Sequence, residues 1–161
     1  MFRLFECCAL SFFERFVLSF SLKIERFVSD SAEIWICGLY CFKLPKATDE
    51  EKAARSAAIQ EATRHAALIP MEVARKALEV MPVIADIARL GNRNAITDAC
   101  VAMMAARSAV LGALLNVRIN LGVLKDKEFV LGLQAEADRM EQTACRKEKE
   151  LLDAVNQDLR V

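Results

Sequence analysis

Polar residues interrupt the apolar stretch SAVLGALLNVRIN at residues 108–120, where unpaired amide groups are costly. Asn116 and Asn120 are four residues apart, and the same step backwards reaches Gly112 and Ser108, so all four share one face of a helix. Carboxamides both donate and accept, which suits a planar heterocycle that carries donors and acceptors. Hydrogen bonds to a neighbouring helix are the alternative interpretation, and the spacing does not separate the two.

Four other residues are candidates for chemistry. Arg118 points about 160° away from the line of the asparagines, so it serves either a second helix or a carboxylate across an interface. Asp98 is a weak candidate for an acid or base, and a carboxylate bonded to first-turn amides is its alternative. Lys46 lies in a loop and could bind an anionic ligand or simply be solvated. His65 is the single histidine, and an exposed or interface role suits it better than catalysis.

Common cofactor and metal motifs are absent from the sequence. It contains no GxGxxG, Walker A, HExxH, GxSxG or CxxC pattern, and only five glycines. The six cysteines show no metal spacing, so we expect reduced cysteines in a cytoplasmic protein, with no metal and no cofactor. The 22 basic and 22 acidic side chains cancel, which argues against nucleic acid as a partner. Any binding site must therefore be built from the faces of helices.

Two compositions meet near residue 42. Ten of the eleven aromatic residues lie at or before Phe42, and only Phe129 follows it. We therefore divide the chain into an aromatic- and cysteine-rich segment of uncertain structure, residues 1–42, and a helical domain, residues 43–161. Charged residues interrupt every long apolar run of the first segment, so a membrane-spanning helix of roughly 20 residues is not expected there. An amphipathic surface helix remains an alternative for that segment.

The second segment predicts an all-α fold, an antiparallel bundle of long helices. The predicted helices cover residues 48–69, 70–91, 94–121 and 126–157. Thr48 and Glu51 form a capping box, Asp126 caps the last helix, and Pro70 separates the first two helices. Arg107 and Arg118 are the only charges from residue 99 to 124, which predicts that most of the third helix is buried. The last helix would span roughly 45–50 Å, which favours contact with another subunit.

Three blocks of this segment resemble one known family. LPKATDEEKAARSAAIQEAT at residues 44–63 and GNRNAITDACVAMMAARSAVLGALLNVRIN at residues 91–120 carry an LPK-x-T-x-EEK block, a GN-x-N…DA block and an NVRIN block. In this order they resemble the cyclodeaminase/cyclohydrolase family, and the resemblance spans residues 43–157.

The resemblance implies a cytoplasmic, all-helical homodimer that acts on a tetrahydrofolate derivative in one-carbon metabolism, without metal or redox cofactor. The family's cyclodeaminases are ammonia-lyases that close N10 of 5-formiminotetrahydrofolate onto the formimino carbon, giving 5,10-methenyltetrahydrofolate; its cyclohydrolases act on that product. On this interpretation Asn116, Asn120 and Asp98 position the pterin or the reacting carbon. Arg118, Lys46 or both bind the glutamate carboxylates.

Two family features are missing ahead of the LPK block. Family members carry there a glycine-rich GGGS-type helix start and an acidic D-x-x-AF-type segment, whereas residues 1–42 contain one glycine, Gly38, and neither pattern. The acidic segment is where the catalytic carboxylate is expected, so the sequence predicts very weak turnover or none. The alternative function is a catalytically inactive helical fragment that serves only as an oligomerisation module, and a membrane-surface protein is a third possibility.

Overall fold

The computed structural model describes residues 40–158, and three long helices account for most of them. Residues 40–43 are helical, and after a short loop come α1 (Asp49–Leu90), a 3-10 turn (Arg93–Ala95), α2 (Ile96–Leu121) and α3 (Lys127–Asp158). Within these residues there is no strand. The predicted all-α antiparallel bundle is therefore confirmed, while residues 1–39 of the predicted N-terminal segment lie outside the described residues.

Helix starts follow the capping residues predicted from the sequence. The Thr48 hydroxyl accepts from the Glu51 amide at 3.2 Å, and the Glu51 carboxylate accepts from the Thr48 amide at 3.2 Å, which completes the capping box of α1. Asp126 Oδ1 accepts from the Phe129 amide at 3.1 Å and caps α3 in the same way.

The predicted break at Pro70 is wrong, because α1 runs unbroken through both Pro70 and Pro82. Proline has no N–H, so each leaves the carbonyl four residues earlier without its helical donor. Pro70 is buried, and the carbonyl of Ala66 instead accepts from Asn120 Nδ2 of α2 at 3.2 Å. Pro82 is exposed, so water can serve the carbonyl on that side. At Pro70 a side chain from another helix therefore supplies the hydrogen bond that the backbone of α1 cannot form.

The core lies between α1 and α2 and extends to one face of α3. Met71, Met81 and Met103 are fully buried in it, next to the aliphatic side chains of α2. Alanines fill many of the remaining buried positions and let the helices approach closely: Ala67, Ala74, Ala99, Ala113, Ala137 and Ala144. Every buried residue of the described chain is apolar, Pro70 included.

The outer side of α2 is exposed, which contradicts the prediction that most of this helix is buried. α1 and α3 cover one side, where Val110, Leu114 and Val117 are buried, whereas Leu115 and Ile119 on the other side are 66% and 74% exposed. With the preceding turn, this helix is also the one described element long and apolar enough to cross a membrane, a test that core helices of soluble proteins pass as well. Three helices alone leave this apolar surface uncovered.

Ion pairs connect the helices outside the core. Arg75 of α1 binds Glu136 of α3 through two parallel hydrogen bonds of 2.7 and 2.8 Å. These hydrogen bonds raise the pKa of Arg75 and lower the pKa of Glu136, against a smaller opposing effect of burial. Both side chains are about one-third exposed, at 34% and 30%, so solvent weakens the pair only in part.

The Arg75–Glu136 pair predicts a loss of stability in acid. The folded-state pKa of Glu136 lies below its usual value of 4.5, so its contribution to the free energy of unfolding is complete above that pH and is lost as the pH falls through the lowered value. Urea unfolding of wild type and Glu136→Gln from pH 7 to pH 3 should show a steeper decline for the wild type. Glu150→Gln, which removes only an exposed pair within α3, should follow the wild-type slope, and equal slopes for all three chains would contradict the assignment.

Candidate functional site

A cleft of about 310 Å³ opens at the end of the bundle where α1 begins and α2 ends. Its walls come from the loop before α1 and from the first three turns of that helix. The lining residues are Lys46, Lys52, Arg55, Ser56, Ile59 and Gln60. The helical positions recur at steps of three and four, so the capped start of α1 directs them all to one side.

The loop between α2 and α3 is fastened to this wall by Gln60. Its side-chain amide donates to the Val123 carbonyl at 3.1 Å and accepts from the Lys125 amide at 2.8 Å, so both ends of the carboxamide are used. Lys125 Nζ then reaches the Ser56 hydroxyl at 3.2 Å. The loop thus brings a further cation to the cleft.

The cleft carries positive charge that the described acids do not neutralise. Within residues 40–158, neither Lys46 nor Lys125 forms an ion pair. Among the cations of the cleft, only Lys52 has an acidic partner, Asp49, at 2.8 Å. Arg55 donates to the Phe42 carbonyl at 3.1 Å, and its buried Nε has no hydrogen-bond partner in the described chain. This arrangement suits an anionic group such as a carboxylate or phosphate.

Asn120 lies further along the groove between α1 and α2, and Asn116 lies one helical turn away on α2, towards its exposed side. Asn120 is half-buried and bonds to Ala66, which is ten residues, or about 15 Å, along α1 from Ser56. Asn116 is exposed, and its Nδ2 lies 3.4 Å from the Gly112 carbonyl of its own helix. The structure therefore places the asparagines and Lys46 along the same half of the bundle.

Arg118 lies on a different seam, between α2 and α3. Its Nη2 donates to Glu141 at 2.5 Å and to Asp138 at 2.9 Å, and these hydrogen bonds raise its pKa. Of the two environments predicted for Arg118, the structure places the guanidinium in contact with a second helix. An anionic ligand at this position would have to compete with two carboxylates.

Asp98 and His65 are separate from the groove. Asp98 is exposed in the first turn of α2, eighteen residues or about 27 Å along that helix from Asn116. His65 is exposed on α1 and lies 3.2 Å from Glu61. Among residues 40–158, no three His, Cys, Asp or Glu side chains come together as a possible metal site.

Sequence reasoning did not select Arg55, Ser56, Gln60 or Lys125. The signal for two of them was present, because Lys52, Ser56 and Gln60 recur every fourth residue and share a face. Lys125 could not be placed in this way, since its position depends on how the loop after α2 folds back onto α1.

The chain matches the family described as formiminotransferase-cyclodeaminase over residues 23–139, well over half of its length. It belongs to this family. The match covers all the cleft residues and both asparagines. It also begins ahead of residue 43, the predicted start of the helical domain, and that boundary stays a prediction.

Individual relatives agree with this assignment. The chain is 40% identical to the methenyltetrahydrofolate cyclohydrolase of Methylorubrum extorquens over 102 residues, covering 63% of this chain and 49% of that protein. It is 34% identical to the formimidoyltransferase-cyclodeaminase of Rattus norvegicus over 109 residues, covering 68% of this chain and 20% of that protein. The chain therefore spans about half of one relative and a fifth of the other.

A solved structure shares the fold. The formiminotetrahydrofolate cyclodeaminase of Thermotoga maritima superimposes with a TM-score of 0.65 at 22% identity, covering 83% of this chain and 64% of that one. At this identity the similarity establishes the helical architecture.

The fastening of the loop by Gln60 predicts a local change in hydrogen exchange. Gln60→Glu keeps an acceptor for the Lys125 amide but sets a carboxylate oxygen against the Val123 carbonyl, so the loop should detach more often. Exchange at the amide of Lys125 should accelerate roughly tenfold, as expected for a loss of about 1.4 kcal/mol. Gln142→Glu on the exposed side of α3 is the control, and an unchanged rate in Gln60→Glu would show that the amide does not hold the loop.

Proposed function

We propose that this chain acts in folate one-carbon metabolism, as a formiminotetrahydrofolate cyclodeaminase or a methenyltetrahydrofolate cyclohydrolase. The observation that carries the proposal is the groove between α1 and α2, in which cations without acidic partners lie at one end and the carboxamide of Asn120 lies further along, one turn from that of Asn116. In this arrangement the cleft binds the glutamate carboxylates and the asparagines bind the pterin. Family membership and the names of the relatives, a methenyltetrahydrofolate cyclohydrolase and a formimidoyltransferase-cyclodeaminase, support the same assignment.

The size and charge of the cleft fit one end of a folate better than the whole molecule. Pockets that enclose a complete small ligand have volumes of about 300–1,000 Å³, and this cleft lies at the lower limit. A carboxylate there would lie beside Lys46 and the Arg55 side chain, with Lys125 held at Ser56 on the same wall. The aminobenzoyl group would then lie along the groove towards Asn120.

Ring closure needs three contributions from the protein. N10 and the one-carbon unit must be held close together, which is an effect of orientation. An acid must protonate the departing amine, and a base must take the proton from N10. Three carboxylates around the cleft are already engaged, since Asp49 pairs with Lys52, Glu51 caps α1, and Asp126 caps α3 and pairs with Arg64. The described groove therefore supports binding and orientation more strongly than proton transfer, and we expect weak turnover. The reaction calls for no metal or redox cofactor, and we propose none.

Binding of a stable folate tests this assignment. In calorimetric titrations with 5-formyltetrahydrofolate, Lys46→Glu and Lys125→Glu should each raise the Kd roughly tenfold, because each turns an attraction for the glutamate carboxylates into a repulsion. Lys147→Glu, a lysine of α3 away from the cleft, should bind as the wild type does. The effect should decrease as salt is added.

The same preparations distinguish the enzyme from the inactive bundle. Formation of methenyltetrahydrofolate, followed by its near-ultraviolet absorbance, should be slow in the wild type and slower in Lys46→Glu. A folded wild-type chain that binds no folate would overturn the proposal in favour of the oligomerisation module.

We further propose that the chain forms a homodimer in the cytoplasm and that the exposed side of α2 is the interface. A stripe along this side consists of Val101, Met104, Ser108, Gly112, Leu115 and Ile119, all of them exposed. The stripe contains no charge, and its large residues lie at the two ends with the small ones in the middle. Because this order reads similarly in both directions, a second copy packed antiparallel about a twofold axis would match it.

Charge introduced into this stripe should separate the subunits. Sedimentation velocity at micromolar concentration should show a dimer for the wild type and a monomer for Ile119→Glu, because the interface would then bury an unpaired carboxylate. Leu131→Glu, at a residue of α3 that is 70% exposed and outside the stripe, is the control. A monomeric wild type would exclude the dimer, and recovery of the wild type with liposomes would assign the stripe to a membrane instead.

A further inference from the structure

The carboxamide of Asn120 is held by two backbone carbonyls. Its Nδ2 donates to the Ala66 carbonyl of α1 at 3.2 Å and to the Asn116 carbonyl of its own helix at 2.8 Å. One hydrogen bond stays within α2 and the other crosses to α1, so contacts with both helices hold the side chain.

These partners determine which end of the amide faces them. A backbone carbonyl can only accept, so the NH₂ end must point towards both, and the opposite orientation would bring three oxygens together. Both hydrogens of Nδ2 are therefore used inside the bundle. The Oδ1 atom has no donor among residues 40–158, and the half-buried side chain remains partly accessible.

Pro70 creates the need for this arrangement. In an ordinary helix the N–H of residue 70 would donate to the Ala66 carbonyl, and proline has none. The site is on the buried side of α1, since Pro70 itself is buried, so a donor from the protein is required. Pro82, by contrast, is exposed and receives no such side chain in the described chain.

We propose that Pro70 is a positioning residue that makes Asn120 a pure hydrogen-bond acceptor in the ligand groove. By occupying both amide hydrogens at the Ala66 and Asn116 carbonyls, the fold leaves only Oδ1 for a bound molecule. Asn120 then selects a heterocycle that presents an N–H or an NH₂ group at this point and rejects one that presents a lone pair. The ligand role rests on the proposed function, because the heterocycle there is the pterin of a tetrahydrofolate.

Substitution of Pro70 separates positioning from folding. In Pro70→Ala the new N–H can donate to the Ala66 carbonyl, so α1 keeps its hydrogen bonding while the amide of Asn120 loses one of its two constraints. The Kd for 5-formyltetrahydrofolate should rise roughly fivefold. Tm should not fall, although residue 70 is buried within the bundle. Pro82→Ala in the same helix is the matched control and should bind with the wild-type Kd.

A double-mutant cycle tests the constraint without any ligand. Asn120→Leu should lower Tm by about 3 °C in the wild type, because the partly buried Ala66 carbonyl loses its donor, and by under about 1 °C in Pro70→Ala. An equal loss of Tm in both backgrounds would overturn the positioning role of Pro70. Equal Kd values for Pro70→Ala and Pro82→Ala would overturn the proposal that Pro70 sets the ligand contact of Asn120.

The two proposals fail in different ways. A wild-type chain that binds no 5-formyltetrahydrofolate overturns the proposed function and the ligand role of Asn120 together, whereas the Tm cycle still decides whether Pro70 holds the amide. Binding by the wild type with no difference between the proline variants overturns only the effect of Pro70 on the ligand contact of Asn120.

Discussion

The hydrogen bond between the Asn120 side chain and the Ala66 carbonyl is the contact on which the arrangement of the groove depends. A buried proline within a helix leaves a carbonyl unpaired, and an unpaired buried carbonyl normally ends or bends the helix. Where α1 passes the buried Pro70, α2 supplies the missing donor, and α1 continues for 42 residues beside α2. Together with the packed core, this contact fixes the alignment of the two helices that form the groove.

The geometry of the cleft follows from that alignment. With Asn120 opposite Ala66, the end of α2 reaches the level of Gln60, whose carboxamide matches the backbone of the following loop at both its donor and its acceptor. Lys125 is then directed to Ser56, and Arg64 covers the ring of Phe129 at 4.1 Å while pairing with Asp126. The positive charge in the cleft thus combines Lys52 and Arg55 of α1 with a lysine from each adjoining loop, Lys46 and Lys125. Helix register determines where the second loop meets the wall.

Local signals predicted the secondary structure well and the tertiary relationships poorly. The caps at Thr48 and Asp126 depend on residues within four positions of each other, so the sequence shows them directly. The outcome at Pro70 depends on an asparagine fifty residues later, and no local rule can anticipate a donor from another helix. For the same reason the residues of the cleft were only partly identified, since Lys125 reaches it through a tertiary contact.

The site predictions show the same division. The spacing of Asn116 and Asn120 identified a shared face, but it could not show that one amide also satisfies the backbone of α1. The direction of Arg118 was predicted correctly as different from that of the asparagines, whereas its carboxylate partners lie on α3. The family resemblance grouped Asp98 with the asparagines as groups that position the ligand, and the length of α2 keeps Asp98 apart from them.

The sulfur atoms at the centre of the bundle have a consequence for chemical damage. Met71, Met81 and Met103 are fully buried, so peroxides do not reach their thioethers while the helices stay packed. Once the chain unfolds, oxidation to the sulfoxide adds a polar oxygen that a core of apolar side chains cannot satisfy. If the bundle opens transiently in an oxidising environment, oxidation of these methionines would therefore prevent the chain from refolding until a sulfoxide reductase restores the thioethers.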